Sequence, residues 1–417
     1  MRSLNLYGGE PLHGELTVQG SKNSVLPILA ATLLSREPCE IHNCPDLLDV
    51  RAAFEILENL GCTVQYDGET AVVDPTAASR SVIPDELMRK MRSSVMFLGA
   101  MLGRFGRACI SYPGGCELGA RPIDIHLSAL SRLGVELRED GGDIRCLLRR
   151  YLPQTVTLMF PSVGATENVM LLCAAIPGET LLIHPAREPE IVDLQNFLNC
   201  MGAEIRGAGS DCIRIRGSAQ LHGCSYTVIP DRIAAATYAC AAVACGGEVL
   251  LHKTEPGHLL MLLAVLRDMG VDVKEDEDQI RIISDGRPDA VPLVKTLPYP
   301  GFPTDMQPLL MAAVLKARGS IVFNETIFEN RFKHVGEFLR MGADVRIEGM
   351  NAIVNGVRRL HGAKVQAADL RGGAALAIAG LSAEGKTTLG GVEHIERGYV
   401  AIDKALTELG AKVAWEP

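Results

Sequence analysis

Aromatic residues are scarce in this 417-residue chain, at 5% of positions with a single tryptophan. Its interior must therefore be packed chiefly from Ala, Leu, Val, Ile and Met. Positive charge is short as well: 41 Lys and Arg face 50 Asp and Glu, for a formal net charge of -9. That balance excludes the electrostatic footprint of a nucleic-acid binder, and any anionic ligand needs basic groups gathered locally. No apolar run reaches the length of a membrane helix; the longest, near 233–249, is broken by Cys, Tyr and a Gly pair. The N-terminus, MRSLNLYGGEPLHG, lacks the apolar stretch of a signal peptide. There is no C-x-x-C pair and no His at finger spacing, although 12 cysteines lie between Cys39 and Cys245. They read as small buried hydrophobes of a reducing compartment rather than disulfides or a zinc site. The expectation is a cytoplasmic protein without metal or organic cofactor, acting on small molecules and not on nucleic acid or membrane.

What the sequence does have is repetition. The pattern Leu-x-x-(Leu/Met)-Gly-x-x-apolar, or a near relative, recurs with its glycine at Gly61, Gly134, Gly202, Gly270, Gly342 and Gly410, at separations of 73, 68, 68, 72 and 68 residues. A Gly that ends an apolar-periodic stretch and precedes an alternating one marks a helix C-cap leading into a strand. A second element recurs equally often: SVLPILAATLL, SSVMFLGAMLG, ENVMLLCAAIPG, IAAATYACAAVACGG, MQPLLMAAVLKARG and GGAALAIAGLSAEG. A helix apolar on every side must be buried on every side. Each unit of roughly 70 residues thus reads strand, buried helix, strand, amphipathic helix, strand, strand. Three units make one α/β domain and the length asks for two. We expect a first domain at 22–229 and a second at 230–417 completed by the strand-like 1–21, with a ligand cleft between them.

Polar exceptions gather at the starts of the apolar segments: Lys22-Asn23, Arg92, Thr166-Glu167, Asp231-Arg232, Thr304-Asp305, and Asp369 with Arg371. Helix N-termini offer unpaired N–H groups and a positive dipole end, which suit phosphates and carboxylates. Asp and Thr are also ordinary N-caps, and for Thr166, Asp231 and Asp369 that reading stands equally. A cation at a helix start opposes the dipole, so Lys22, Arg92 and Arg371 need another reason. The sharpest local signal is PGGCELGARPIDIH, where two glycines place Cys116 on a loop with Arg121 close by. A cationic neighbourhood makes a thiol reactive as acid or nucleophile. Arg331 and Arg397 likewise sit in poorly periodic stretches, and Arg suits bidentate recognition of phosphate or carboxylate. Asp305, held between Pro303 and a helix start, is a candidate base.

At this point a family can be named. The motifs GSKNSVLPILAA, MRSSVMFLGA, PGGCELGARPIDIH, FPSVGATEN, AREPEIVDL, PDRI, PGFPTDMQ, FENRFKH, ADLRGGAAL and HIERGY resemble, in order and over essentially the whole chain, the enolpyruvyl transferases of UDP-N-acetylglucosamine. The resemblance implies two inside-out α/β barrel domains, each of three repeated units, with the active site in the cleft between them. It also implies transfer of the enolpyruvyl group of phosphoenolpyruvate to the sugar 3-hydroxyl with loss of phosphate, the first committed step of peptidoglycan synthesis. Cys116 would serve proton transfer or a covalent adduct and be the fosfomycin target. Asp305 would deprotonate the hydroxyl. Lys22, Arg121 and Arg397 would clamp the phosphate, with Asn23, Arg331, Arg371 and Asp369 also around phosphoenolpyruvate. Asn23, Arg92, Arg121, Pro122, Ile123, Asp124, Ile125, Ser162, Val163, Gly164, Asp305 and Ile327 would hold the nucleotide sugar.

The chain departs from the family pattern at Ala234 to Ala236 and at Ala405, where a lysine is one residue early as Lys404. These changes motivate a competing reading, a low-activity or non-catalytic paralogue that binds the nucleotide sugar. A shikimate 3-phosphate transferase is disfavoured by the P-G-G-C loop and the GATEN segment.

Overall fold

A computed structural model describes residues 2–91, 93–111 and 123–416. Arg92, Cys116, Arg121 and Pro122 lie outside the described residues. Each apolar segment forms a helix: α1 Lys22–Thr32, α2 Phe97–Phe105, α3 Val163–Ala174, α4 Arg232–Cys245, α5 Gln307–Ala313 and α6 Leu370–Ser382. Burial is all-round, as their composition demands. Every residue of α4 from Arg232 to Ala244 is buried, and every residue of α6 from Arg371 to Ser382. α2 and α5 are shorter than their apolar runs because single 3-10 turns, Ser94–Met96 and Thr304–Met306, precede them. All six repeat glycines have positive φ, between 77° and 102°, a conformation that suits Gly at the end of each one-sided helix.

The chain divides into two compact units, with junctions between Gln19 and Gly20 and between Ile229 and Pro230. The first unit takes the described residues between Gly20 and Ile229, and the second takes those before and after. Among the described residues six four-stranded sheets form, three in each unit. Within a repeat the strand ahead of an apolar helix pairs in parallel with the strand behind it, so the helix serves as the crossover. Thr155–Thr157, α3 and Gly178–Ile183 show this, with Val156 opposite Leu182. The strand behind the helix then pairs antiparallel with a hairpin strand, here Cys212–Gly217.

Two strands are exchanged. Leu12–Thr17 runs directly into α1, yet pairs in parallel with Gly247–His252, the strand behind α4. Ser225–Thr227 runs into α4, yet pairs with Cys39–His42, the strand behind α1. Ser3–Gly8 lies between Gly385–Gly390 and Lys412–Glu416, antiparallel to both. The first two N-terminal strands therefore complete sheets of the second unit.

The cysteines correct one expectation. Cys39, Cys44, Cys62, Cys146, Cys173 and Cys240 are buried, but Cys109, Cys212, Cys224 and Cys245 are half-buried and Cys200 is exposed. Cys200 ends a one-sided helix, Pro189–Cys200, whose buried residues include Leu194, Phe197 and Leu198, and its own position falls on the other side.

Close approach of backbone decides one packing. A Cβ on Gly99 of α2 would stand 2.3 Å from the Asn168 carbonyl oxygen of α3. The Asn168 amide reinforces the approach, accepting from Gly99 N at 2.6 Å and donating to Val95 O at 3.1 Å. Gly99→Ala should therefore destabilise the protein by about 1–3 kcal/mol through overpacking, read as a lower urea midpoint. Gly336→Ala is the control, since no atom lies within 4 Å of its added Cβ, and it should be neutral or slightly stabilising. Equal losses at both positions would remove the packing explanation.

Candidate active site

Chemistry in the second unit centres on Asp305, in the turn that opens α5. Its two carboxylate oxygens are taken by different arginines. Arg331 Nη2 donates to Oδ1 at 2.9 Å, while Arg371 Nε and Nη2 donate to Oδ2, each at 3.3 Å. The arginine side chains are 1% and 4% exposed against 30% for Asp305, so the cations are the buried partners and the carboxylate reaches solvent. Arg331 is fixed further by the Thr304 carbonyl, which accepts from Nε at 3.1 Å and Nη2 at 2.8 Å. Burial weakens the charge of Arg371, but Tyr399 and Asp305 more than offset it and push its pKa above the ordinary arginine value. Arg371 Nη1 donates to Tyr399 Oη at 3.2 Å, and that hydroxyl shares a 2.8 Å hydrogen bond with Thr237 Oγ1. Thr237 belongs to α4, Asp305 precedes α5 and Arg371 begins α6. Helix α4, the turn before α5 and the first turn of α6 thus meet in one polar chain.

Asp231 and Asp369 are N-caps. Asp231 accepts from Ile233 N and Ala234 N at 2.8 and 3.0 Å, and Asp369 from Arg371 N and Gly372 N at 3.1 and 3.0 Å. Asp369 thereby sets the orientation of Arg371. His334 lies beside Asp369 and Arg331; burial depresses its pKa to about 4, so it is neutral at physiological pH and adds no charge. Glu325 organises the neighbouring loop, accepting from Ile327 N at 2.8 Å and Thr304 Oγ1 at 3.1 Å. Arg397 is half-buried in the turn before Tyr399. Gln19 holds that turn through both ends of its amide, donating to Gly398 O at 3.1 Å and accepting from Val400 N at 2.8 Å. Lys404 is exposed and Ala405 buried, so the one-residue slip leaves the lysine in solvent.

In the first unit Lys22 opens α1 and pairs with the buried carboxylate of Asp49 at 3.0 Å. This carboxylate accounts for a cation at a helix start. Half-buried Asn23 follows, and Ser24 is anchored to Asp193, which also accepts from Tyr226 Oη. Ile123 is buried ahead of the helix Asp124–Arg132, with Asp124 exposed and Ile125 half-buried. Ser162 caps α3, accepting from Ala165 N at 3.4 Å, and Val163 and Gly164 follow it, half-buried. Thr166 is not the cap. It sits one turn in, donating to Ser162 O at 2.9 Å and accepting from Ala186 N at 3.0 Å. Gly164 has a steric reason: a Cβ there would meet the His126 ring at 2.7 Å. His126 is in turn held by Asn168 Nδ2 at 2.9 Å. Deeper in α3, burial and the nearby charges of Glu190 and Glu188 push Glu167 up to about 8.

The structure thus brings together Asp305, Arg331, Arg371 and Asp369 in one unit, and Ser162 to Gly164 with their supports in the other. Sequence reasoning missed Tyr399, Thr237, Gln19, Glu325, Asp49 and His126. Two of these carried a signal: Tyr399 stands two residues after Arg397 in HIERGY, and His126 ends PGGCELGARPIDIH.

The chain belongs to the family described as EPSP synthase (3-phosphoshikimate 1-carboxyvinyltransferase), whose profile matches residues 6–406. Within that family its relatives are named more narrowly. A UDP-N-acetylglucosamine 1-carboxyvinyltransferase 2 of Caldanaerobacter subterraneus subsp. tengcongensis is 50% identical over 99% of both chains. One of the same name from Bacillus subtilis is 43% identical, over 99% of this chain and 96% of its own. Among solved structures, the enolpyruvyl transferase NikO from Streptomyces tendae superposes with a TM-score of 0.90 at 28% identity, covering 100% of this chain and 99% of that one. An EPSP synthase from Acinetobacter baumannii shares the fold, with a TM-score of 0.75 at 17% identity.

Two measurements test this geometry. Tyr399→Phe should destabilise by about 1–3 kcal/mol, because it leaves a buried Arg371 N–H without its acceptor. Adding Thr237→Val should then lose clearly less than it does alone, since the two hydroxyls share one bond; strictly additive losses would show that Tyr399 is not the bridge. Glu167, protonated in the fold up to about 8 against 4.5 for an ordinary Glu, binds its proton more tightly when folded. Its contribution is therefore complete at low pH and declines as pH rises through that window. Glu167→Gln should remove that decline and gain relative stability at the alkaline end, on the order of a few kcal/mol. A parallel pH–stability curve would contradict it.

Proposed function

We propose that this protein transfers the enolpyruvyl group of phosphoenolpyruvate to the 3-hydroxyl of UDP-N-acetylglucosamine and releases phosphate, in the cytoplasm, as the first committed step of peptidoglycan synthesis. The single observation that carries the substrate choice is 50% identity, over 99% of both chains, to a relative named for that activity. The 17% identity to an EPSP synthase speaks only for fold.

In this reading the sugar hydroxyl gives its proton to Asp305 as its oxygen bonds to C2 of phosphoenolpyruvate, and the methylene carbon takes a proton from an acid. Cys116 is assigned that acid role, or the adduct, on its loop sequence. Elimination of phosphate and of a methyl proton then regenerates the enol ether. Asp305 can meet the hydroxyl because it is the partly exposed member of a buried cationic pair. Arg331 and Arg371 hold oriented guanidinium donors beside it, which suit the substrate carboxylate. Lys22 with Asn23, and Arg121 with Arg397, are assigned to phosphate. Arg92, Arg121 to Ile125, Ser162 to Gly164 and Ile327 are assigned to the nucleotide sugar. The steps require no metal and no organic cofactor.

Phosphate release from phosphoenolpyruvate should require UDP-N-acetylglucosamine and stop after fosfomycin treatment. Release driven by shikimate 3-phosphate instead would overturn the substrate assignment. Asp305→Asn should retain nucleotide-sugar binding and lose about 100-fold or more in kcat; a near-normal rate would remove it as the base. Cys116→Asp should keep turnover and lose fosfomycin sensitivity, whereas unchanged inactivation would place the drug-reactive group elsewhere.

A further inference from the structure

Gln19 is the last residue of the second unit before the chain passes into the first. Its side-chain amide spans a turn 379 positions away, donating to Gly398 O at 3.1 Å and accepting from Val400 N at 2.8 Å. Its backbone carbonyl accepts from Asp231 N at 2.9 Å, which ties the same residue to the α4 cap. The turn closes on itself through other groups: Ile395 O accepts from Gly398 N at 2.9 Å and from Tyr399 N at 3.0 Å. Gln19 therefore takes two backbone groups that this closure does not use. Ala401, next in the chain, has φ 40° and ψ 56°, a left-handed conformation that is strained for any residue with a Cβ. On the other side a Cβ on Gly398 would stand 2.7 Å from the Leu370 side chain, so the turn is pressed against the start of α6. This clamped turn carries Arg397 and also Tyr399, whose hydroxyl accepts from Arg371 Nη1 at 3.2 Å.

We propose that Gln19 is a positioning residue for phosphoenolpyruvate, its amide holding the strained turn so that Arg397 and Tyr399 are set before the substrate arrives. The inference rests on the proposed assignment of Arg397 to phosphate and of Arg371 to the substrate carboxylate. A cation on a turn fixed in advance needs no ordering when the anion binds, and affinity gains by that difference. A strained backbone keeps its conformation only while its surroundings impose it. Without the amide the turn relaxes, and Arg397 and the Tyr399 support of Arg371 lose their orientation together. Asp305 is spared, because Arg331 holds it and is itself fixed by the Thr304 carbonyl. The residues assigned to the nucleotide sugar all lie off this turn, so the effect falls on one substrate of the two.

The test compares steady-state kinetics of the full-length protein with those of Gln19→Met, a change of similar size and shape that removes both amide hydrogen bonds. KM for phosphoenolpyruvate should rise about tenfold, the scale of one to two lost hydrogen bonds, while KM for UDP-N-acetylglucosamine stays where it was. Adding Ala401→Gly should recover part of the loss, because Gly takes the left-handed conformation without strain. An equal rise in both KM values would make Gln19 a merely structural residue and overturn the proposal. Arg397→Ala separates this inference from the reading beneath it. If Arg397→Ala raises KM for phosphoenolpyruvate and Gln19→Met does not, the clamp is wrong and the phosphate assignment stands. If Arg397→Ala leaves that KM unchanged, the assignment itself fails and the clamp falls with it. Should Gln19→Met not fold, Ala401→Gly alone decides: KM for phosphoenolpyruvate should be unchanged or lower, and a rise overturns the proposal.

Discussion

A helix with no polar face can place charged side chains only at its ends, and that constraint organises this molecule. Six such helices fill the two units, and nearly every residue along them is buried. A charge in the middle of α4 or α6 would be stranded in apolar surroundings. Charged groups are therefore displaced to the first turn, where free backbone N–H groups and the loops ahead of the helix satisfy them, while Glu167, deeper in α3, is held protonated by burial. Asp231, Asp369 and Arg371 all stand at such starts. The chemistry collects at the helix ends because the fold leaves it no other place close to the core.

Burial also fixes what the cluster around Asp305 favours. Two guanidinium groups almost wholly removed from water share one carboxylate, with the capping carboxylates of Asp231 and Asp369 close to Arg371. Such an arrangement is costly to dehydrate and stays assembled through the Thr304 carbonyl, the Tyr399 hydroxyl and the α6 cap. An arriving anion finds donors already oriented and largely dehydrated, the condition under which fixed charges act most strongly.

The repeat, the six apolar helices and the positions of their capping glycines are legible in the sequence because each rests on local periodicity. Asp305, Arg331 and Arg371 are legible as exceptions to that periodicity. Thr237, Tyr399, Gln19 and Asp49 are not. A buried Thr on an apolar helix looks like packing, and its role depends on Tyr399, 162 positions away. Gln19 acts on Val400 across 381 positions. Thr166 was open as a cap because Ser162, one turn earlier, offers the same chemistry, and only backbone geometry separates them. The exposed Cys200 escaped for the opposite reason: cysteine usually packs as a hydrophobe, and nothing nearby in sequence marks its face of the helix.

The exchanged strands bear on how the protein emerges from the ribosome. Leu12–Thr17 is made long before its partner Gly247–His252, which follows more than 200 residues later. Ser3–Gly8 waits longer still, for Gly385–Gly390 and Lys412–Glu416. The first unit, in contrast, has all its strands once Ser225–Thr227 has been made. During synthesis the N-terminal segment is thus an unpaired tail on a unit that can already close its own sheets, held over until the last repeat arrives. The sheets of the second unit can be completed only after Lys412–Glu416 has been made.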